Sequence, residues 1–324
     1  METRHYRRQI VIIIVFLSIS CKKEENPLTS ETSEIQWMKL NEPGGGIKGL
    51  AFNSSGHAYA GTSGGTVFRS TDNGGTWAQA GTANPNIYPA AVSPGGSIFA
   101  RTDSDGLCRS TNAGVTWATI NTGFPNRKNF SLAINLGGQL FARTDTNGFF
   151  RSDNNGDSWA LTYSNLPSRY NQSVAISPNG SIFAGTSDGN GVLRSTDNGD
   201  TWTQVGLTNP AAIYAFGFNS SGHVYAGGYP AGVWRSTDNG GNWTYVGSGI
   251  QSGDLYCLGV NANGHVFAGT HHGVFRSTDS GGSWSQTNSG LTQSDVYSLL
   301  LNANGYVFAI TDNGIFRSVQ STIK

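Results

Sequence analysis

The chain has 324 residues, of which only 12% are charged, with 45 glycines and a net charge of zero. Removing Arg4, Arg7, Arg8 and Glu2 with residues 1–20 leaves 17 basic and 19 acidic side chains, so no overall basic field exists to hold nucleic acid. Abundant glycine and aromatic residues, with few helix formers, point to an all-β protein of many short strands.

In chain order, residues 1–20 read as an export signal. Three arginines precede an apolar run from Ile10 to Ile19, which is too short to span a bilayer. Cys21 follows directly. The stretch Leu17-Ser18-Ile19-Ser20-Cys21 resembles a bacterial lipoprotein signal, with the leucine one place early. The resemblance implies acylation at Cys21 and a membrane partner through that lipid, on an outer-membrane, surface-exposed protein. The charged run Lys22-Lys23-Glu24-Glu25 is similar to the export tag of Bacteroidetes-type surface lipoproteins. A cleaved signal and a secreted or periplasmic product is the alternative. Residues 21–34 are polar and aperiodic, as in a flexible tether.

From residue 35 to 318 the chain repeats. Arg-Ser-Thr-Asp-x-Gly-x-x-Trp or a close variant starts at Arg69, Arg109, Arg151, Arg194, Arg235, Arg276 and Arg317, at steps of 40, 42, 43, 41, 41 and 41 residues. A period near 40 with glycine-rich turns marks a radial β-repeat. Blade five shows the unit: strands at Ile213–Asn219, His223–Gly227 and Val233–Ser236, and a fourth starting at Trp243. The last repeat stops after Ser318 without its tryptophan, while Trp37 lies 40 residues before Trp77 with no repeat in front of it. Joining the two predicts a single seven-bladed β-propeller of four-stranded antiparallel blades, closed by the N-terminal strand, which leaves no open sheet edge at the seam. Residues 319–324 remain as a C-terminal tail. A monomer needing no cofactor or metal is expected.

Ser-x-Asp-x-Gly-x-x-Trp is a turn-forming motif. Serine and aspartate side chains hold the turn's backbone N–H groups, glycine takes the strained position and tryptophan packs over the hairpin. Full copies are Ser70/Asp72/Trp77, Ser195/Asp197/Trp202, Ser236/Asp238/Trp243 and Ser277/Asp279/Trp284, whereas Asn112 and Asn154 replace the aspartate in blades two and three. These residues resemble the Asp-box, or bacterial neuraminidase repeat. The resemblance implies that the turns and their arginines are structural and lie away from the ligand face.

The opposite rim is built from the loops between strands two and three and between blades. Four arginines fall outside the repeat, Arg101, Arg127, Arg143 and Arg169, and with Lys128 they lie in the rim loops of blades two to four. Arg101-Thr102-Asp103 and Arg143-Thr144-Asp145 share one slot in adjacent blades. His271, His272, Asp254, Asp295 and Asp312 gather in blades six and seven. The reading is a polarised rim, positive on one flank and acidic with imidazoles on the other, unless Arg101 and Arg143 only pair with Asp103 and Asp145. The second position of strand one reads Lys48, Tyr88, Phe130, Gln172, Tyr214, Tyr256 and Tyr297, aromatics that either stack on a ligand or seal one blade to the next. His271 and His272 are adjacent, which on a strand would point them to opposite faces, and Asp103-Ser104-Asp105-Gly106 lacks the later ligands of a calcium loop. Cys108 and Cys257 lie in blades two and six, which fits buried thiols and not a disulfide.

Sialidases share the repeat, and the resemblance to them implies a tyrosine–glutamate nucleophile pair. None of the six glutamates, Glu2, Glu24, Glu25, Glu31, Glu34 and Glu42, lies in the blades, so that pair cannot be assembled. Xyloglucan-cleaving Asp-box enzymes use two propellers, where one fits here. The single seven-bladed photosystem II assembly-factor family is more similar in size and implies a binding platform. The expectation is a non-catalytic envelope propeller recognising a glycan or a protein, with a glycosidase using a rim aspartate pair (Asp103 or Asp145 with Asp312) as the alternative.

Overall fold

The computed structural model describes residues 34–323, except for 45, 84–85, 104–105, 125–129, 145–147, 164–172, 187–188, 208–211, 231, 251–254 and 293–294. These residues form seven four-stranded antiparallel sheets. In blade six the strands are Leu255–Val260, Val266–Thr270, Gly273–Ser277 and Ser285–Gln286. Val260 pairs with Val266 and Val266 with Ser277 at one end, while Leu255 pairs with Thr270 and Thr270 with Gly273 at the other. The strand 1–2 and 3–4 turns therefore share one rim. The strand 2–3 turn and the entry to strand one share the other.

Strand two is buried along its whole length in blade six, because each blade is covered by a neighbour on both faces. The apolar clusters accordingly lie between blades: Ala215, Tyr225 and Val233 of blade five pack with Leu258, Val266 and Phe275 of blade six. This arrangement explains why the inner strands lack a clean polar–apolar alternation.

Two repeated side chains fasten blade to blade. The motif arginine donates to a main-chain carbonyl in the next blade's turn: Arg194 Nη1 to Asn239 O at 2.6 Å and Arg235 Nη1 to Ser280 O at 3.0 Å. The accepting residues have φ of 58° and 60°. The motif tryptophan donates backwards in several blades: Trp159 Nε1 to Ile120 O at 2.9 Å and Trp284 Nε1 to Val246 O at 2.6 Å.

Trp202 corrects the expectation that this residue packs over its own hairpin. Its half-buried ring turns to blade three, where it meets Phe149 at 4.5 Å and Tyr163 at 6.4 Å between centroids. Its Nε1 donates to Gly199 O of its own turn at 3.0 Å. Strand four of blade four is only Thr203–Gln204, and both residues are exposed. That outer edge offers the indole no apolar cover, whereas Phe149 and Phe141 of the preceding blade do. Trp202 therefore closes the wall between blades by packing, and it begins one residue before its strand.

Both fasteners recur at the seam. Strand four of blade seven is Trp37–Lys39, and Trp37, Met38 and Lys39 pair with Ser318, Arg317 and Phe316. Trp37 Nε1 donates to Thr287 O at 2.7 Å, and Arg317 Nη1 reaches Asn73 O of blade one at 2.7 Å. Phe308 of blade seven packs with Leu40, Leu50 and Ala58, which completes the ring. Residues 319–323 take the place of the missing seventh turn. Asn302 of blade seven donates to Asn73 in the turn of blade one, and Asn261 of blade six donates to the Thr322 carbonyl at 2.8 Å in the same manner.

In the first turn Ser70 Oγ donates to Asp72 Oδ1 at 2.7 Å and accepts from Gly74 N at 2.8 Å. Thr76 donates its N–H and hydroxyl to Asp72 at 2.9 and 2.7 Å. The Thr76 hydroxyl and N–H hold the Asp72 carboxyl at about 2, those of Thr201 do so for Asp197, and the Asn242 N–H and side chain do so for Asp238. These values lie below the ordinary carboxylate value near 4. Their contribution to stability is full above about pH 4 and is lost as pH falls through about 2. Asn112 reproduces the same geometry without charge, accepting from Thr116 N at 2.9 Å. Changing Asp72, Asp197 and Asp238 together to asparagine is expected to flatten the loss of melting temperature between about pH 4 and 2, measured by thermal unfolding across that range. An equally steep acid limb in the variant would count against it.

Candidate ligand-binding rim

The rim opposite the Ser–Asp turns is where the repeat is least uniform. At the end of strand two, the position that follows Thr62, Thr102, Thr144, Thr186, Gly228, Thr270 and Thr311 reads Ser63, Asp103, Asp145, Ser187, Tyr229, His271 and Asp312 from blade to blade, with Pro230 after Tyr229. Just before it, Thr186, Thr270 and Thr311 donate their hydroxyls to Gly191, Gly273 and Gly314 carbonyls at 3.0 Å. In those three blades a threonine thus anchors a changeable neighbour, whereas Gly228 takes its place before Tyr229. Tyr229 escapes the strand-one and arginine patterns and becomes visible only when the blades are aligned at this place. It is 47% exposed.

Bulges set the aromatic positions. In blades five, six and seven the pairing skips from Ile213 to Ala215, from Leu255 to Cys257 and from Val296 to Ser298. Tyr214, Tyr256 and Tyr297 are therefore the extra residues of β-bulges, a device that re-aims a side chain. Lys48 is skipped in the same way in blade one. Phe130 is not equivalent to them: blade three has no such bulge, and Phe130 pairs with Thr144, the place Leu255 takes against Thr270. Gln172 lies outside the described residues.

In blade two, Tyr88 faces Arg101 directly across the strands. The guanidinium carbon lies 4.2 Å from the tyrosine ring centroid, and the Tyr88 hydroxyl donates to Asp103 at 3.3 Å. Burial draws the Arg101 guanidinium below its ordinary value, and burial followed by the Asp103 charge raises the Tyr88 hydroxyl.

Arg143 corrects the expectation of a positive flank. It is 1% exposed, and its Nη1 donates to Gly185 O of blade four at 2.6 Å. Its slot matches that of Arg101, but its guanidinium is inside the wall between blades three and four. Arg127, Lys128, Arg169, Asp145 and Asp254 lie outside the described residues. Of the five cations assigned to that flank, Arg101 alone is placed at the rim by the described residues.

The acidic flank is assembled. The Tyr297 hydroxyl lies 2.6 Å from Asp312 and 3.2 Å from Asp295. A single hydroxyl proton serves one of these carboxylates at a time, and the shorter contact assigns it to Asp312. His271 contacts Asp295 through Nδ1. Tyr256 meets Tyr297 across the blade boundary at 5.8 Å between centroids, so the tyrosines seal adjacent blades while staying half-exposed. His271 and His272 are not on a strand but in the strand 2–3 turn, where their rings meet at 5.2 Å. The His272 carbonyl accepts from Gln286 and Asn288 at 2.8 Å, which fixes the turn. His57 and His265, by contrast, meet Arg69 and Arg276 at 3.0 Å in the structural rim. Cys108 and Cys257 are buried free thiols, and burial pushes the Cys257 thiol up.

Residues 132–255, less than half of the chain, match the DUF6242 beta propeller domain. No curated protein sequence matches. Among solved structures, YCF48 bound to D1 peptide is similar over 90% of this chain and 98% of its own, at 18% identity and a TM-score of 0.71. A virginiamycin B lyase from Staphylococcus aureus with quinupristin is similar over 89% of this chain and 99% of its own, at 12% identity and a TM-score of 0.72. A xyloglucanase from Xanthomonas campestris is similar over 89% of this chain and 54% of its own, at 20% identity and a TM-score of 0.69. At such identities the likeness extends to the seven-bladed ring and not to a shared activity, since the same ring appears in a peptide-bound protein and in enzymes.

Proposed function

We propose that this protein is a non-catalytic recognition propeller of the cell envelope that holds a glycan or protein partner on its variable rim. The observation that carries the reading is the chemical variety of one rim, where the same positions hold different polar, charged and aromatic side chains from blade to blade. There, bulged tyrosines and paired carboxylates stand half-exposed in blades five to seven. The other rim spends its arginines and aspartates on turns and blade-to-blade fasteners. The ring seen in the peptide-bound YCF48 structure supports such use. Acylation at Cys21 would join the tether to blade seven at the end that carries Ser318, since Trp37 pairs there. That is the end of the turns, so the tether would leave the ring on the rim opposite the variable one.

The reading is tested by a glycan array and by binding to envelope fractions. Tyr256→Ala/Tyr297→Ala is expected to lose binding at least tenfold while still melting cooperatively. Binding unchanged in that variant and in Arg101→Ala would remove the rim from consideration. A second reading, a glycosidase, is favoured by the two carboxylates that share the Tyr297 hydroxyl. It requires reducing-sugar release that disappears in Asp312→Asn.

A further inference from the structure

We propose that the blade-seven part of the rim is a seat for the guanidinium or ammonium group of a basic peptide, an inference that rests on recognition by this rim and names its ligand class. The argument starts from an internal copy. A strand-one tyrosine donates its hydroxyl to the aspartate after strand two in two blades, Tyr88 to Asp103 and Tyr297 to Asp312, fifteen residues apart in each. In blade two the chain itself supplies the cation: Arg101 lies over the Tyr88 ring, 4.2 Å from its centroid, beside Asp103. A guanidinium over a tyrosine face gains from the ring quadrupole, and a carboxylate alongside adds charge attraction.

In blade seven the place of Arg101 is held by Ile310, which is buried and carries no charge. The bulge moves Tyr297 out of the pairing, so that Ile310 faces Ser298 and not the tyrosine. The ring instead meets Tyr256 at 5.8 Å, and a second carboxylate, Asp295, lies 3.2 Å from its hydroxyl. Blade seven thus has the tyrosine–aspartate pair of blade two, with one ring and one carboxylate added and the arginine removed. Among the described residues the charged groups at the pair are Asp295, Asp312 and His271, the last against Asp295 and charged only when protonated, while Glu42, which accepts from Ile315 N at 2.6 Å, and Lys39 border the same turn at Gly314. Asp312 and His271 are exposed, so a side chain projecting from another molecule can reach the pair. Sugar hydroxyls also bond carboxylates, but the group that this chain itself places against the same pair is a guanidinium.

The test is calorimetric titration of the purified protein with N-acetyl-triarginine amide and with N-acetyl-tricitrulline amide, which keeps the shape and lacks the charge. Triarginine is expected to bind, tricitrulline at least tenfold more weakly. Asp312→Asn and Tyr297→Ala should each weaken triarginine at least fivefold, with melting temperatures confirming the fold, and Leu161→Ala, on the exposed outer strand of blade three, should leave it unchanged. Tricitrulline within twofold of triarginine, or Asp312→Asn and Asp295→Asn both within twofold of wild type, overturns the proposal. No triarginine binding, with envelope or glycan binding still lost in Tyr256→Ala/Tyr297→Ala, overturns the cation seat and leaves rim recognition standing. No binding of any kind overturns both.

Discussion

Trp37→Ala is expected to destabilise the protein by about 3–5 kcal/mol, and deletion of residues 35–41 to open the ring. Trp37 is 4% exposed and packs among Cys257, Phe267, Val296 and Phe316 of the two last blades. Its indole N–H is bonded to Thr287 O and its backbone N–H to Ser289 O at 2.8 Å. Truncation therefore leaves a cavity between blades six and seven and an unpaired carbonyl beside it. Deletion does more. It strips the outer partner from the strand Gly314–Ser318, exposing an unpaired edge at the one place where the ring is closed by chain ends. Thermal unfolding should show a fall of roughly 6–12 °C for Trp37→Ala, and the deletion variant should associate on size exclusion. Melting temperatures within about 2 °C of wild type in both would show that the seam does not hold the ring.

The ring is legible in the sequence because its signal is repeated. An arginine–serine pair recurs seven times, with the full Ser–Asp–Trp turn after four of them, and the surplus tryptophan at one end matches the deficit at the other. Strand limits shift by one or two residues: blade five begins at Ala212 and its second strand ends at Tyr229. The rim is legible only as residue types. Arg101 and Arg143 have identical neighbours in sequence, Ala before and Thr-Asp after. One faces a tyrosine across its own sheet, whereas the other lies against the carbonyl of Gly185 in the next blade. Arg101 is paired with Tyr88 and Arg143 with Ser131, and Gly185 belongs to the next blade, so the arginine's own segment encodes neither partner. Trp202 departs from its expected place for the same kind of reason, since the aromatic ring that draws it belongs to the blade before. The two-residue strand 2–3 turn of blade six begins at His271, so the alternation that governs a strand no longer applies to the paired histidines. Asp295, Asp312, Tyr256 and Tyr297 lie near one another because a fixed period carries their positions to the same rim.

Arg143→Ala is expected to cost about 2–4 kcal/mol in stability and to leave recognition at the blade 5–7 rim unchanged. Its guanidinium is enclosed between blades three and four and donates to Gly185 O at 2.6 Å. Alanine would remove a large fully buried side chain and leave that carbonyl without its donor, so lost packing and an unmade hydrogen bond act together. Arg143→Met separates the two contributions: the thioether fills most of the volume without a charge, and buried charges are often replaceable by apolar residues of similar size. A smaller loss for methionine than for alanine would assign most of the effect to packing. Equal losses would assign it to the hydrogen bond to Gly185. The same arginine read as part of an anion-binding flank predicts the opposite pattern, with ligand affinity falling in both variants and melting temperature nearly constant. Thermal unfolding and rim binding measured on the same preparations decide between a blade-to-blade clamp and a ligand contact.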